Sequence, residues 1–256
     1  MRNTIRLFVT LIACALPLFF GGCIEMEHDL RLAEDGSATY RLDYAISEQA
    51  VARFRAMFKL KDDLAVAAGE VTPGKELEPL LAAFLDPDEA EIRKQLETFA
   101  DVGLRIRSIH QQVRSAWRQI ELELEIDDLG TLAGDPFFVR HGFDLYRNDQ
   151  GQYVWSRSPH ISDVGSIPAT PSAQELEQIT PLLEGFKTRV RITVPGRIVS
   201  TTAFGTALQT ASWDFDFDRQ PTSLQTLLRQ HFHIVFDAPQ ARLPVLRTRA
   251  APEPLH

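Results

Sequence analysis

His231 and His233 stand two apart in HFHIVFDA, a spacing that on a strand turns both imidazoles to one face and offers two ligands to a zinc ion. Asp214, Asp216 and Asp218 in WDFDFD, and Glu121, Glu123 and Glu125 in IELELEI, repeat that spacing with carboxylates, the ligands calcium takes. Alternate residues of a strand lie ~7 Å apart, so a row of carboxylates cannot close one calcium shell without a loop to wrap it. No third ligand stands near the histidines in sequence. In each set the alternating residues are apolar: Phe232, Ile234 and Phe236; Trp213, Phe215 and Phe217; Leu122, Leu124 and Ile126. Each set therefore reads as the solvated side of a half-buried strand, and no metal site is expected.

Nucleophile and phosphate motifs are absent. The chain has no G-x-S-x-G, no H-E-x-x-H, no C-x-x-C and no Gly-rich loop leading from strand to helix. TPGKEL carries the Gly-Lys of a phosphate loop without its upstream glycine or following Ser/Thr, and reads as a turn. No catalytic residue and no cofactor are expected, and the chain is expected not to be an enzyme.

Cys23 offers a different chemistry. It and Cys14 are the only cysteines in 256 residues. Arg2 and Arg6 precede an uncharged run from Leu7 to Phe20, broken by Pro17 and ended by Gly21 and Gly22. This is the three-part build of a secretory signal, and the run is too short for the ~20 apolar residues of a spanning helix. LFFGGC resembles the lipobox of bacterial lipoproteins, with Phe20 where that family usually carries Leu, Val or Ile and the Gly22-Cys23 pair intact. The resemblance implies that residues 1–22 are removed as a signal peptide and that Cys23 is the lipid attachment site, acylated (as with palmitate) and freed as the new N-terminus. Two or three acyl chains hold a domain on a bilayer essentially permanently, whereas one holds it marginally. By the same resemblance, Ile24 in place of Asp implies outer-membrane delivery, facing the periplasm, in a host with two membranes.

The charge balance narrows the partners. The whole chain carries 27 basic and 35 acidic residues, net −8, and loss of Arg2 and Arg6 with the leader makes the remainder more acidic still. Nucleic acid is not an expected partner. The expected partners are the membrane, through the N-terminal anchor, and a hydrophobic ligand or an envelope protein.

The elements that would position such a site follow from hydrophobic period. Met26, His28, Leu30 and Leu32 alternate with Glu25, Glu27, Asp29 and Arg31, and AEDGS is a hairpin loop with Gly36 in the left-handed position. The expected register sets Leu30 opposite Tyr40, His28 opposite Leu42 and Met26 opposite Tyr44. Ser47 opens a helix with Ala50, Val51, Phe54, Met57 and Phe58 on one face, its basic other face being solvated. A second helix is expected from Asp86 as N-cap and Pro87 in the first turn, carrying Ile92, Leu96 and Phe99 and ending at Gly103. Leu104 to Arg107 and Ile120 to Ile126 should pair so that Arg105 faces Glu125 and Arg107 faces Glu123.

A third hairpin is expected around Asn148 to Gly151, strands near 187–194, 197–202, 208–217 and 231–238, and a short helix near 222–230. Val71 to Leu80 reads as a loop leading to a short helix, 158–171 as a loop, and 174–184 as helix-compatible. Residues 239–256, with four prolines and three arginines, read as a flexible tail. The expected class is α+β, a single domain over 23–238 with an antiparallel sheet built from hairpins and helices packed on one face.

Helices bearing Phe54, Phe58 and Phe99 over a sheet presenting Tyr40, Tyr44 and Trp213 could enclose a cavity for an acyl chain, and these six are the candidate ligand-binding residues. A fully packed core is the competing reading of the same residues. GCIEMEHDLRLAEDGSATYRLDYAIS and RVRITVPGRIVSTTAFGTALQTASWDFDF are similar to the opening and closing segments of LppM-like bacterial lipoproteins. That resemblance implies an α+β domain with lipid binding, and it carries over no catalytic residue. The expected function is a membrane-anchored, non-enzymatic lipoprotein of the cell envelope that binds a lipid or other hydrophobic ligand. The alternative is a structural or assembly factor that binds an envelope protein and no small ligand.

Overall fold

The computed structural model describes residues 24–67, 88–135, 143–157, 185–220 and 223–246. The leader, Cys23, the segments read as loop or helix over 71–80, 158–171 and 174–184, and residues 247–256 lie outside them. The fold is α+β, built on two sheets rather than the one expected from the sequence.

The first hairpin has the expected register. Strands β1 (Ile24–Leu32) and β2 (Ala38–Ser47) pair Leu30 with Tyr40, His28 with Leu42 and Met26 with Tyr44. Gly36 turns the loop at φ +90°, a conformation that glycine adopts without steric cost. Helix α1 (Glu48–Ala67) starts where the Ser47 hydroxyl accepts from the Ala50 amide at 3.1 Å.

Helix α2 (Glu89–Glu97) begins two residues later than its sequence suggests. Asp88, not Asp86, is the N-cap, and its carboxylate accepts from the Ala90 and Glu91 amides at 2.7 and 3.1 Å. The side chains of Ile92 and Leu96 pack on the core, and Gly103 at φ +82° turns the chain into β3 (Leu104–Arg114). Strand β3 pairs with β4 (Trp117–Ile126), with Arg105 opposite Glu125 as expected. Beyond Ile106 the register shifts. Ser108, not Arg107, stands opposite Glu123, because Arg107 is the extra residue of a β-bulge. Arg107 nevertheless reaches the Glu123 carboxylate at 3.1 Å.

Helix α3 (Leu129–Ala133) follows, then a hairpin of β5 (Asp144–Arg147) and β6 (Tyr153–Arg157) with its turn at 148–151. Strand β7 (Phe186–Thr193) lies parallel to β1, a pairing that no hairpin could provide. The chain then crosses to the other sheet as β8 (Arg197–Thr201), touches the first as β9 (Gly205–Thr206) and β10 (Thr210–Asp216), and returns through helix α4 (Ser223–Arg229) to β11 (Phe232–Asp237). The seven-stranded sheet runs β3-β4-β2-β1-β7-β10-β9 and the four-stranded sheet β5-β6-β11-β8. At the crossing, a Cβ on Gly196 would stand 1.9 Å from the Asp237 carbonyl oxygen, so only glycine lets the backbones pass.

The residues after Ala238 correct the tail reading as far as they are described. Ala241, Leu243 and Leu246 are buried, Leu246 bridges to Leu145, and the Tyr153 hydroxyl donates to the Ala241 carbonyl at 2.9 Å. Proline content excludes a helix there but not packing, and the apolar residues between the prolines cover the end of the core. Among the described residues no helix is long and apolar enough to cross a membrane.

Candidate functional site

The two faces of the large sheet differ completely. One carries rows of charge that alternate from strand to strand, Arg105 and Arg107 beside Glu123 and Glu125, and Glu27 and Asp29 beside Arg189 and Arg191. Arg191 bonds Glu27 at 2.9 Å and Asp29 at 3.3 Å, Arg41 bonds Asp43 at 2.9 Å, and Arg189 pairs with Asp214. A groove of about 580 Å³ opens on this face among Glu25, Glu27, Arg41, Glu121, Arg189 and Asp214, with acids and bases interleaved along its walls. Each acid has a basic partner, but six acids share four bases, Arg41 and Arg189 serving two each, so the groove is net acidic.

The aspartate row has structural duties. Asp216 accepts from the Asp218 and Arg219 amides and Asp218 from the Gly185 amide, closing turns. The rings of His231 and His233 lie 5.5 Å apart, and among the described residues no three ligand-type side chains gather as a metal site would require.

The apolar face meets the small sheet and the helices, and its core divides into two clusters. The larger joins both sheets through Leu122, Leu124, Ile192, Trp213, Trp155 and Phe236. The smaller lies under α1 and consists of Ile24, Tyr44, Ile46, Ala50 and Val51. The six residues singled out by sequence distribute between them. Tyr44 and Phe54 belong to the smaller cluster. Tyr40 and Phe99 pack against the larger one, and Trp213 is wholly buried within it, its indole donating to the Thr202 carbonyl at 3.1 Å and its ring set edgewise on Phe232. The Phe58 side chain and Cys23 lie outside the described residues.

Between the clusters runs a seam. Met26, His28 and Leu30 on β1, Tyr40 and Leu42 on β2 and Val190 on β7 occupy the middle of the sheet on its apolar side, yet each stays partly exposed. Flanking residues on the same face, Leu122, Leu124, Ile192 and Trp213, are buried. Leu42 packs against both clusters, which places it where they meet. The seam is mostly apolar, and its polar members are bonded to each other: His28 Nδ1 and the Tyr40 hydroxyl are 2.7 Å apart. Burial lowers the His28 pKa to about 4 and pushes the Tyr40 phenol up to about 12, so both are neutral at neutral pH.

Arg157 at the end of β6 completes the surroundings. It is paired opposite Phe232 and lies on the same alternation as Tyr153 and Trp155, which are buried in the common core, while Arg157 itself is exposed. Its charge is felt by both His28 and Tyr40. Sequence reading passed over Arg157, although YVWSR places it on the same alternation as Tyr153 and Trp155, where a cation is out of pattern.

No family model matches the chain, and no curated protein matches it either. Among solved structures it is similar to the folded domain of the Mycobacterium tuberculosis LppM protein, determined by NMR. The two are 10% identical, with a TM-score of 0.37 over 91% of this chain and 96% of that one.

Proposed function

We propose that this chain is a non-enzymatic lipoprotein of the cell envelope, held on a membrane through Cys23, that binds a hydrophobic ligand along the seam between its two core clusters. In a host with two membranes its place is the periplasmic side of the outer membrane. The partial exposure of Met26, Leu30, Leu42 and Val190 on the middle strands carries the reading. Apolar side chains at the centre of a sheet are ordinarily its most buried, and covering them is worth about 25 cal/mol for each Å² removed from water. An acyl chain lying along the seam would recover that free energy.

The test is lipid extraction and native mass spectrometry on the protein with Cys23→Ala, which keeps the rest of the chain and removes the acylation site. Co-purifying or added single-chain lipid is expected at one per protein, and Leu42→Glu should abolish it while far-ultraviolet circular dichroism stays unchanged. Absence of any bound lipid in the parent protein would leave the assembly-factor reading in its place.

A further inference from the structure

We propose that the ligand held at the seam carries an anionic head group, a carboxylate or a phosphate, received by Arg157 together with the His28–Tyr40 pair. This rests on the hydrophobic-ligand reading above and adds to it the chemistry of the head.

The first observation is the company each arginine keeps. On the large sheet Arg31, Arg41, Arg105, Arg107, Arg189 and Arg191 each reach a carboxylate, and Arg114, exposed at the end of β3, reaches none among the described residues. Arg157, exposed at the end of β6 on the face that carries the buried Tyr153 and Trp155, has no ion pair and no hydrogen bond among the described residues. Partial desolvation by the surrounding protein lowers its pKa, and the group nearby that opposes this is the Tyr40 phenol rather than an acid. A guanidinium offers a planar fork of N–H donors matched to the two oxygens of a carboxylate or phosphate.

The second is an excess of donors. Neutral His28 and Tyr40 hold one N–H and one O–H between them, and their mutual bond uses one. Whichever tautomer is present, one donor remains. Trp155, almost wholly buried two residues before Arg157 on the same face, has its indole Nε1 without an acceptor. Donors thus remain at the His28–Tyr40 pair on the large sheet and at Trp155 and Arg157 on the small one, with no acceptor bonded to them among the described residues. An oxyanion with several lone pairs is the group that such a set lacks, and a neutral ester or alcohol head would satisfy it less completely. With the head at Arg157, the chain would run along Leu30, Leu42 and Met26.

The experiment compares palmitate, palmitoyl-lysophosphatidate and monopalmitoylglycerol, binding each to the Cys23→Ala protein and to its Arg157→Gln and Arg157→Lys variants by native mass spectrometry and calorimetry. At least one anionic lipid is expected to bind about tenfold tighter than the neutral one, as a charge-assisted contact should provide. The tighter of the two anions identifies carboxylate or phosphate as the head. Arg157→Gln should erase the preference and leave monopalmitoylglycerol unaffected, while Arg157→Lys should restore part of it. Equal affinity for all three lipids, or a preference that survives Arg157→Gln, overturns the head-group inference and leaves the hydrophobic site standing. Failure of all three to bind overturns both.

Discussion

His28 Nδ1 and the Tyr40 hydroxyl, on adjacent central strands, lie 2.7 Å apart and diagonal to each other in the β1–β2 register. Burial first, and the charge of Arg157 second, bring the His28 pKa down from 6.5 to about 4. The unfolded chain therefore takes up a proton at a pH where the folded chain still refuses it. Stability is fully retained above pH ~6.5, falls as the pH drops toward ~4, and stops falling below that, with a total of order 3 kcal/mol by linkage. Urea unfolding of the parent and His28→Gln proteins at pH 7 and pH 4.5 checks this. The variant should lose distinctly less stability on acidification, and equal losses would show that His28 is not the group responsible.

Gly196→Ala should be among the most damaging single changes in the protein. Its Cβ would meet the Asp237 carbonyl at 1.9 Å, a contact with backbone that no rotamer can relieve. A cost of about 3 kcal/mol or more is expected, in the range of severe core disruption. A melting temperature within 2–3 °C of the parent, where ~1 kcal/mol alone shifts a domain of this size by that much, would contradict it.

The β3–β4 turn offers a gain instead. Ser115 and Ala116 sit at φ 53° and 63°, left-handed values that side chains with a Cβ adopt at a cost. Replacing them with Asn-Gly, the pair favoured in such two-residue hairpins, should stabilise the protein by about 1 kcal/mol. The Ala116 carbonyl accepts from the Glu48 amide at the start of α1, and main-chain bonding of that kind survives the exchange. Thermal unfolding of the double variant is the measurement, and unchanged or lowered stability would be the contrary result.

Asp29 is buried on the charged face and is bonded by Arg31 at 3.0 Å and Arg191 at 3.3 Å. Breaking a fully buried pair typically costs about 3–5 kcal/mol, but here Arg31 reaches water and Arg191 keeps Glu27. Asp29→Ala should therefore cost about 1–2 kcal/mol. Chemical denaturation showing no loss would mean that the pairs contribute nothing net.

For Cys23, metabolic labelling with a fatty-acid analogue should mark the protein, and Cys23→Ala should remove the mark entirely. Label persisting on the variant would refute acylation at this position.

Much of the fold could be read from local pattern. The β1–β2 register follows from alternation on both arms and a glycine at the one left-handed position, and the observed pairs agree residue by residue. The bulge at Arg107 left no trace in the sequence, since a basic side chain at that site suits an exposed strand position with or without an extra residue. The cap was misplaced because Asp86 and Asp88 flank Pro87 and both precede glutamates at capping distance. Only the backbone tells which one bends.

Pairing of β1 with β7 joins segments more than 150 residues apart, and no short-range signal encodes it. The seam was harder still. Tyr40, Tyr44, Phe54 and Trp213 are alike in composition, and what separates a packed core from one that parts between Tyr44 and Tyr40 is three-dimensional shape.

The position of β1 has a mechanical consequence. Its two neighbours, β2 antiparallel and β7 parallel, bond it along nearly its whole length, and Ile24 is already the first paired residue. A tether at residue 23 would load the strand along its axis, straining both ladders together in shear instead of unzipping them one bond at a time. Drag on the domain would then be borne by the centre of its largest sheet, and the anchor would give way at the lipid before it gave way at the fold.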